Sequence, residues 1–381
     1  MTFLWRYRMK NPTLVRGCAF AALAMAATLG HAQTYRWHLI NLDGNGLSAA
    51  GAAINDSNVI AVSGGYYDFG TGVYTSLPPL TGQTRTPIPT AINNSGQLAG
   101  SVRLGSTTTT NRAFRWSPGD ANSTNLGTLG GENRTDAFGI NNLGQVVGSS
   151  RLDSSSASER AALFSGGTVT NLATTGFASG TTSLARDIND SGVIVGVGRL
   201  TGQTADQALV FDGTGGATSL GVLTSLGHDR GQAFAVSNGG VIVGQSSGLT
   251  ADTRRAVRWV TSTSSAEQLL SPVGIASSTI AQAINEAGDV VGTGSVDGSI
   301  SNAIGWINGN AINFNDALVN PDANLVLRTA VGINANGYIV GSGTLNGNTI
   351  GYILTPEAVP EPATMTLLAG LALLKRRRKQ S

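Results

Sequence analysis

Three arginines repeat at one spacing. Arg103, Arg151 and Arg199 each stand three residues after a glycine, Gly100, Gly148 and Gly196. Guanidinium groups repeated on one face would hold carboxylates or sulfates bidentately. A second pattern is Asp187, Asn189, Ser191 and Gly192, which has the spacing of the start of a calcium loop. No bidentate Glu follows it, and other copies of the segment begin with Ala53, Ala91, Gly139, Ala235, Ala283 or Gly332. Turn chemistry is the better reading there, and calcium the weaker one. Tyr66 and Tyr67 are candidates to stack on sugar rings.

Other chemistry is excluded by the inventory. The one cysteine is Cys18, and lysines occur only at Lys10, Lys375 and Lys379, all near the termini. The body then has no thiol nucleophile, disulfide or Schiff-base lysine. Two of the three histidines, His38 and His228, lie in the body, too few for a histidine-rich metal centre. Glycosidase chemistry needs paired carboxylates. Glu132, Glu159, Glu267, Glu286 and Glu357 are scattered, and Ser295, Asp297 and Gly298 match a sialidase Asp-box only faintly. We find no nucleophile elbow, P-loop or H-E-x-x-H motif. No cofactor, resident metal or catalytic residue is expected.

These residues are carried by a repeat. Its hairpin reads AINNSGQLAG at 91–100, GINNLGQVVG at 139–148, DINDSGVIVG at 187–196 and AINEAGDVVG at 283–292. The aliphatic anchor falls at Ile54, Ile92, Ile140, Ile188, Val236, Ile284 and Ile333, in steps of 38, 48, 48, 48, 48 and 49. Asn, two free positions and Gly fit a type I turn followed by a left-handed residue. Asn93, Asn141, Asn189, Asn285 and Asn334 can bond their own backbone two residues on. Three residues before each anchor stands Gly, Pro or Ala, small enough for a crowded axis. RAFRW at 112–116 and RAVRW at 255–259 show a second strand, with large residues on one face and small ones on the other.

About four short strands per ~48 residues is one propeller blade. Glycine is 52 of 381 residues and charged residues are 12%, which also suits a turn-rich all-β body. The expectation is a single seven-bladed β-propeller over 33–356, with six or eight blades as alternatives. The last unit lacks a fourth strand. YRWHLINL at 35–42 is an orphan strand that would pair with 349–354 and close the ring.

Residues 1–32 read as a signal peptide with a basic start, an apolar run and a cleavage site between Ala32 and Gln33. Either Met1 or Met9 serves as the start. Residues 357–381 contain Pro360, Glu361 and Pro362, an apolar run, then Lys375, Arg376, Arg377, Arg378 and Lys379. Residues 1–32 and 360–381 carry nine of the 24 Lys and Arg but only one of the 22 acids, Glu361. The body therefore holds 15 bases and 21 acids, near −6, which argues against nucleic-acid binding.

The order of the C-terminal segment resembles the PEP-CTERM sorting signal. That resemblance implies recognition by an exosortase in the inner membrane, and a surface or matrix address in an exopolysaccharide-producing Gram-negative bacterium. NLGTLGGENRTDAFGINNLGQVVGSS at 125–150 resembles the HAF extracellular repeat family, which implies an exported β-repeat protein and no particular activity. The functional expectation is a monomeric, non-catalytic surface or matrix protein that binds exopolysaccharide through Arg103, Arg151 and Arg199. The alternative is a propeller-type polysaccharide hydrolase or lyase. The face where strand two meets strand three is the expected place for a site.

Overall fold

A computed structural model describes residues 33–42, 50–104, 110–130, 134–151, 159–249, 254–260, 265–275, 278–296 and 301–357. Ala32, Glu132, Asp297, Gly298, Pro360, Glu361, Pro362, Arg376, Arg377 and Arg378 lie outside them. The described strands form seven four-stranded antiparallel sheets, one per repeat. Six are built from consecutive strands; blade three, for example, runs Arg134–Ile140, Val146–Arg151, Arg160–Ser165 and Thr168–Asn171. The one described helical element is a 3-10 turn, Thr224–Leu226.

The seventh blade is made from both termini. Tyr35–Leu39 pairs antiparallel with Asn348–Pro356, joining Tyr35 to Pro356 and Leu39 to Tyr352. The expected 1+3 closure is therefore present. It removes the two open edges that a linear array would leave.

Each first strand carries a β-bulge just before its hairpin, between Ala137 and Gly139 in blade three and between Ala185 and Asp187 in blade four. The hairpin is a four-residue turn. The Gly144 N–H donates to the Asn141 carbonyl at 3.0 Å, and Gly144 has φ 74°. Asn141 Oδ1 accepts the N–H groups of Leu143 and Gln145. In the first blade Asn58 takes the left-handed place, at φ 62°.

Blades pack through alternation of large and small residues. Ala99 and Ala113 of blade two meet Val146 and Phe164 of blade three in one buried cluster. Ala256 of blade five meets Trp306 of blade six, and Ala303 of blade six meets Tyr352 of blade seven. The ring returns through Val340 and Ile353, which pack on Ile54 and Ile60 of blade one. Each blade thus buries against its neighbours the faces that one sheet alone leaves wet. The alanines leave room for the next blade's aromatic ring.

Polar groups between blades are satisfied in register. Fourth strands are short; in blade two it is only Thr124–Asn125. The outer edge of the third strand is therefore partly uncovered. The neighbouring first strand supplies a hydroxyl to it: Ala113 N–H donates to Thr135 Oγ1 at 2.9 Å, and Ala161 N–H to Ser183 Oγ at 2.9 Å. A buried amide left without such a partner would be costly.

Candidate functional site

The hairpin turns of all seven blades meet on the axis. Ile54, Ile92, Ile140, Ile188, Val236, Ile284 and Ile333 ring a pocket of about 210 Å³. Above them lie two belts of hydrogen bonds. In the inner belt each turn asparagine donates its side-chain amide to the equivalent backbone carbonyl of the next blade. Asn55 reaches Asn93, Asn93 reaches Asn141, Asn141 reaches Asn189 and Asn189 reaches Ser237, at 2.9–3.1 Å. Asn285 reaches Asn334, and Asn334 returns to Asn55. Ser237 has no amide, so the step from blade five to blade six is missing.

In the outer belt the next residue's N–H donates to the following blade's side chain. Asn94 N–H bonds Asn142 Oδ1, Asn142 N–H bonds Asp190 Oδ1, Asp190 N–H bonds Asn238 Oδ1, and Asn238 N–H bonds both Glu286 carboxylate oxygens. Ala335 N–H closes onto Asp56 Oδ1 at 2.8 Å. The sequence reading took these asparagines as turn formers only. Their second role, between blades, depends on a ring geometry that no single hairpin displays.

The pocket is acidic. Asp56, Asp187, Asp190 and Glu286 line it, with no base among the lining residues. Asp56, Asp190 and Glu286 already accept belt hydrogen bonds. Asp187 differs: it stands on the first strand of blade four, at the floor. Its Oδ1 accepts its neighbour Ile188 N–H and its Oδ2 accepts Val236 N–H of blade five, both at 2.9 Å. Burial pushes its carboxyl up to about 6, against the pull of those two N–H groups. The neighbouring position is Gly139, where a Cβ would stand 2.9 Å from the Asp187 Cα.

The residues of the calcium-like spacing do not share one point. Asn189 Oδ1 is occupied by the N–H groups of Ser191 and Val193, whereas Asp187 turns to blade five. Among the described residues, no three His, Cys, Asp or Glu side chains form a metal-binding group.

Arg103 and Arg151 end the second strands of their blades and Arg199 directly follows one, Ile194–Gly198, on the face opposite the turns. Their surroundings differ. Arg151 Nη2 bonds Asp136 Oδ2 at 3.3 Å and Glu159 Oε1 at 3.1 Å, and its side chain is only 14% exposed. Burial raises the Asp136 carboxyl, but hydrogen bonds from Asn111 and Arg134 and the Arg134 charge outweigh it and hold the group below its ordinary value. Arg199 pairs with Asp206 at 2.9 Å, half in solvent. Arg103 is exposed at the end of Leu98–Arg103. It shares a cleft of about 380 Å³ with Thr84, Arg85, Thr86 and Ile88. Arg85 was missed in the sequence because it lies in an irregular segment outside the repeat pattern.

The two body histidines serve the frame. His38 Nε2 lies 3.1 Å from Thr355 Oγ1, and His228 Nδ1 lies 3.0 Å from Ser246 Oγ. Tyr66 stacks on Trp116, with ring centroids 5.7 Å apart, and Tyr67 is buried.

The fold defines a seven-bladed β-propeller. Residues 358–379 match the family model of the PEP-CTERM protein-sorting motif. The chain thus carries a sorting signal of the kind recognised by exosortase, which implies export and sorting to the cell surface. No curated protein matches the chain in sequence. Similar solved structures include Trypanosoma rangeli sialidase, at 10% identity and TM-score 0.37, covering 92% of this chain and 63% of that one. The same enzyme in complex with 2,3-difluorosialic acid, as a covalent intermediate, gives 9% identity and TM-score 0.38, covering 79% and 57%. The chain spans less than two thirds of the length of these structures. Similarity this low transfers no activity or substrate.

Proposed function

We propose that this is an exported, non-catalytic surface or matrix protein, built of HAF-type repeats, that binds anionic exopolysaccharide. The sorting motif supports the address. The observation that supports binding is the cleft of Arg85 and Arg103. Both side chains are exposed, they line one shallow depression, and no acid is among its lining residues. In a body near −6 such a place would attract carboxylates or sulfates against the overall field. Arg151 and Arg199 take a lesser part in this reading, because local acids already hold them.

The test is binding of a polyuronate, a sulfated polysaccharide and a neutral glucan to the purified chain and to Arg85→Gln/Arg103→Gln. The expected result is binding of the charged polymers, weakened at least tenfold in the variant. Equal binding by both proteins, or none by either, would overturn the reading. For the address, cells carrying alanines at Pro360, Glu361 and Pro362 are fractionated beside the wild type. The expected result is loss of the protein from the surface fraction, and an unchanged distribution would remove the sorting step.

One observation favours hydrolysis as a second reading. The axial pocket gathers four carboxylates, and Asp187 holds its proton to about pH 6, as a general acid requires. Release of reducing sugar from the same polymers, abolished by Asp187→Ala, would establish it.

A further inference from the structure

One first-strand position breaks the symmetry of the ring. The bulge of each first strand adds one residue at the axis: Ala52, Thr90, Phe138, Arg186, Phe234, Gln282 and Val331 in blades one to seven. Six are neutral. Arg186 alone is charged, and it is followed by Asp187, the only acid at its own position. All seven are half-buried.

The surroundings of Arg186 are unusual for a guanidinium. Its Cζ lies 5.1 Å from the Phe138 ring centroid in blade three and 5.9 Å from that of Phe234 in blade five. Both rings lie within cation–π reach of it. Yet it forms no salt bridge or hydrogen bond with any described residue, and its Nε is fully buried without a partner. Glu159 is an anion whose field reaches it, but Glu159 Oε1 is held by Ser149 Oγ at 2.7 Å and by Arg151. Two rings over a guanidinium satisfy its faces. They leave its in-plane N–H donors without acceptors. Gln282, beyond Phe234 on the same ring, has a buried Oε1 that also lacks a partner.

We propose that the ring of bulge residues beneath the acidic pocket binds a small carboxylate ligand, anchored by Arg186 beside Phe138 and Phe234. Planar, delocalised Arg suits a carboxylate in the plane of its donors, with the aromatic rings flanking the pair. The carboxylate belongs either to a single uronic acid unit or to a simple organic acid. This site lies on the axis, separate from the Arg85 and Arg103 cleft, and each can fail without the other.

The experiment is calorimetric titration of the purified chain with glucuronate, acetate and glucose. Wild type, Arg186→Gln, Arg186→Lys and Arg85→Gln/Arg103→Gln are compared after a check of thermal unfolding. We expect glucuronate to bind wild type and the double cleft variant equally. Affinity should fall at least tenfold in Arg186→Gln and recover partly in Arg186→Lys. Acetate binding as tight as glucuronate identifies a simple acid as the source; glucuronate alone identifies the sugar acid. Glucose binding as well as glucuronate, unchanged affinity in Arg186→Gln, or no binding of either acid by wild type overturns the proposal. Should Arg186→Gln fail to fold, a crystal of the wild-type chain with glucuronate decides. Density on Arg186 supports the site, and density elsewhere or none overturns it.

Discussion

Asn334 donates its side-chain amide to the backbone carbonyl of Asn55, 279 positions away, at 2.9 Å. Six such bonds link successive hairpins, and this one joins the last hairpin to the first. The same side chain turns its Oδ1 to the N–H groups of Asn336 and Tyr338 within its own turn. One residue type therefore fixes the local turn and the ring together.

Asn334→Ala should lower unfolding stability by about 1–3 kcal/mol, because several buried polar groups lose partners at once. Ser237→Asn, which supplies the missing amide, should be neutral or stabilising by up to about 1 kcal/mol. Urea denaturation of the two variants beside wild type checks both, and an unchanged midpoint for Asn334→Ala would remove the belt as a source of stability.

Tyr35 anchors the N-terminal strand. It is 1% exposed and meets the Phe314 ring edge-on at 5.3 Å. Its N–H and carbonyl also bond Ala317 and Val319. Tyr35→Ala should cost about 3–5 kcal/mol, as for other large buried aromatics. Removing residues 33–43 should cost more, since it also frees the edge of Asn348–Pro356. Thermal unfolding measures both, and an unaltered melting temperature for the deletion contradicts closure.

Gly148 faces its partner Ala137 across the first two strands of blade three. A Cβ there would fall on the Asp136 carbonyl oxygen and lie 2.9 Å from the Ala137 Cα, backbone that cannot move aside. Gly148→Ala should destabilise by roughly 1–3 kcal/mol or more through overpacking. In blade one the pair is reversed, with Gly51 on the first strand and Val62 on the second. A chemical-denaturation midpoint equal to wild type would show that the strands can separate there.

Asp187 makes stability depend on pH. Its carboxyl is near 6 in the folded chain and about 3.8 when unfolded. Between these values the folded state binds more protons, so stability falls as pH rises from about 4 to about 6 and stays lower above that. The full change is of order 3 kcal/mol at most. Asp187→Ala, the residue four other blades have there, should remove this component. Denaturation at pH 4 and pH 7 for both proteins measures it; the same pH dependence in both would place the cause elsewhere.

The repeat, the blade count and the closing strand were legible because each depends on local chemistry. Turn residues, period-two alternation and a strand without a partner all lie within one ~48-residue unit or at the ends. The large-and-small alternation at Ala113 and Phe114 even announced how blades would pack. The arginine spacing was legible too, but its meaning was not. Arg103, Arg151 and Arg199 occupy equivalent places, yet Asp136 and Glu159 enclose Arg151 while Arg103 stands open beside Arg85.

The sequence by itself determined what each unit could become: a four-stranded sheet with an Asn–Gly hairpin and one face for its neighbour. It also determined the C-terminal sorting motif, since a peptide signal is read as a linear string. Only the tertiary structure decided what stands on the axis. Asn55 and Asn334, or Phe138, Arg186 and Phe234, are 48 or more residues apart and meet only when the ring closes. Their contacts depend on the seven-fold arrangement, and burial on that axis is what raises the proton affinity of Asp187 and leaves Arg186 without an acceptor.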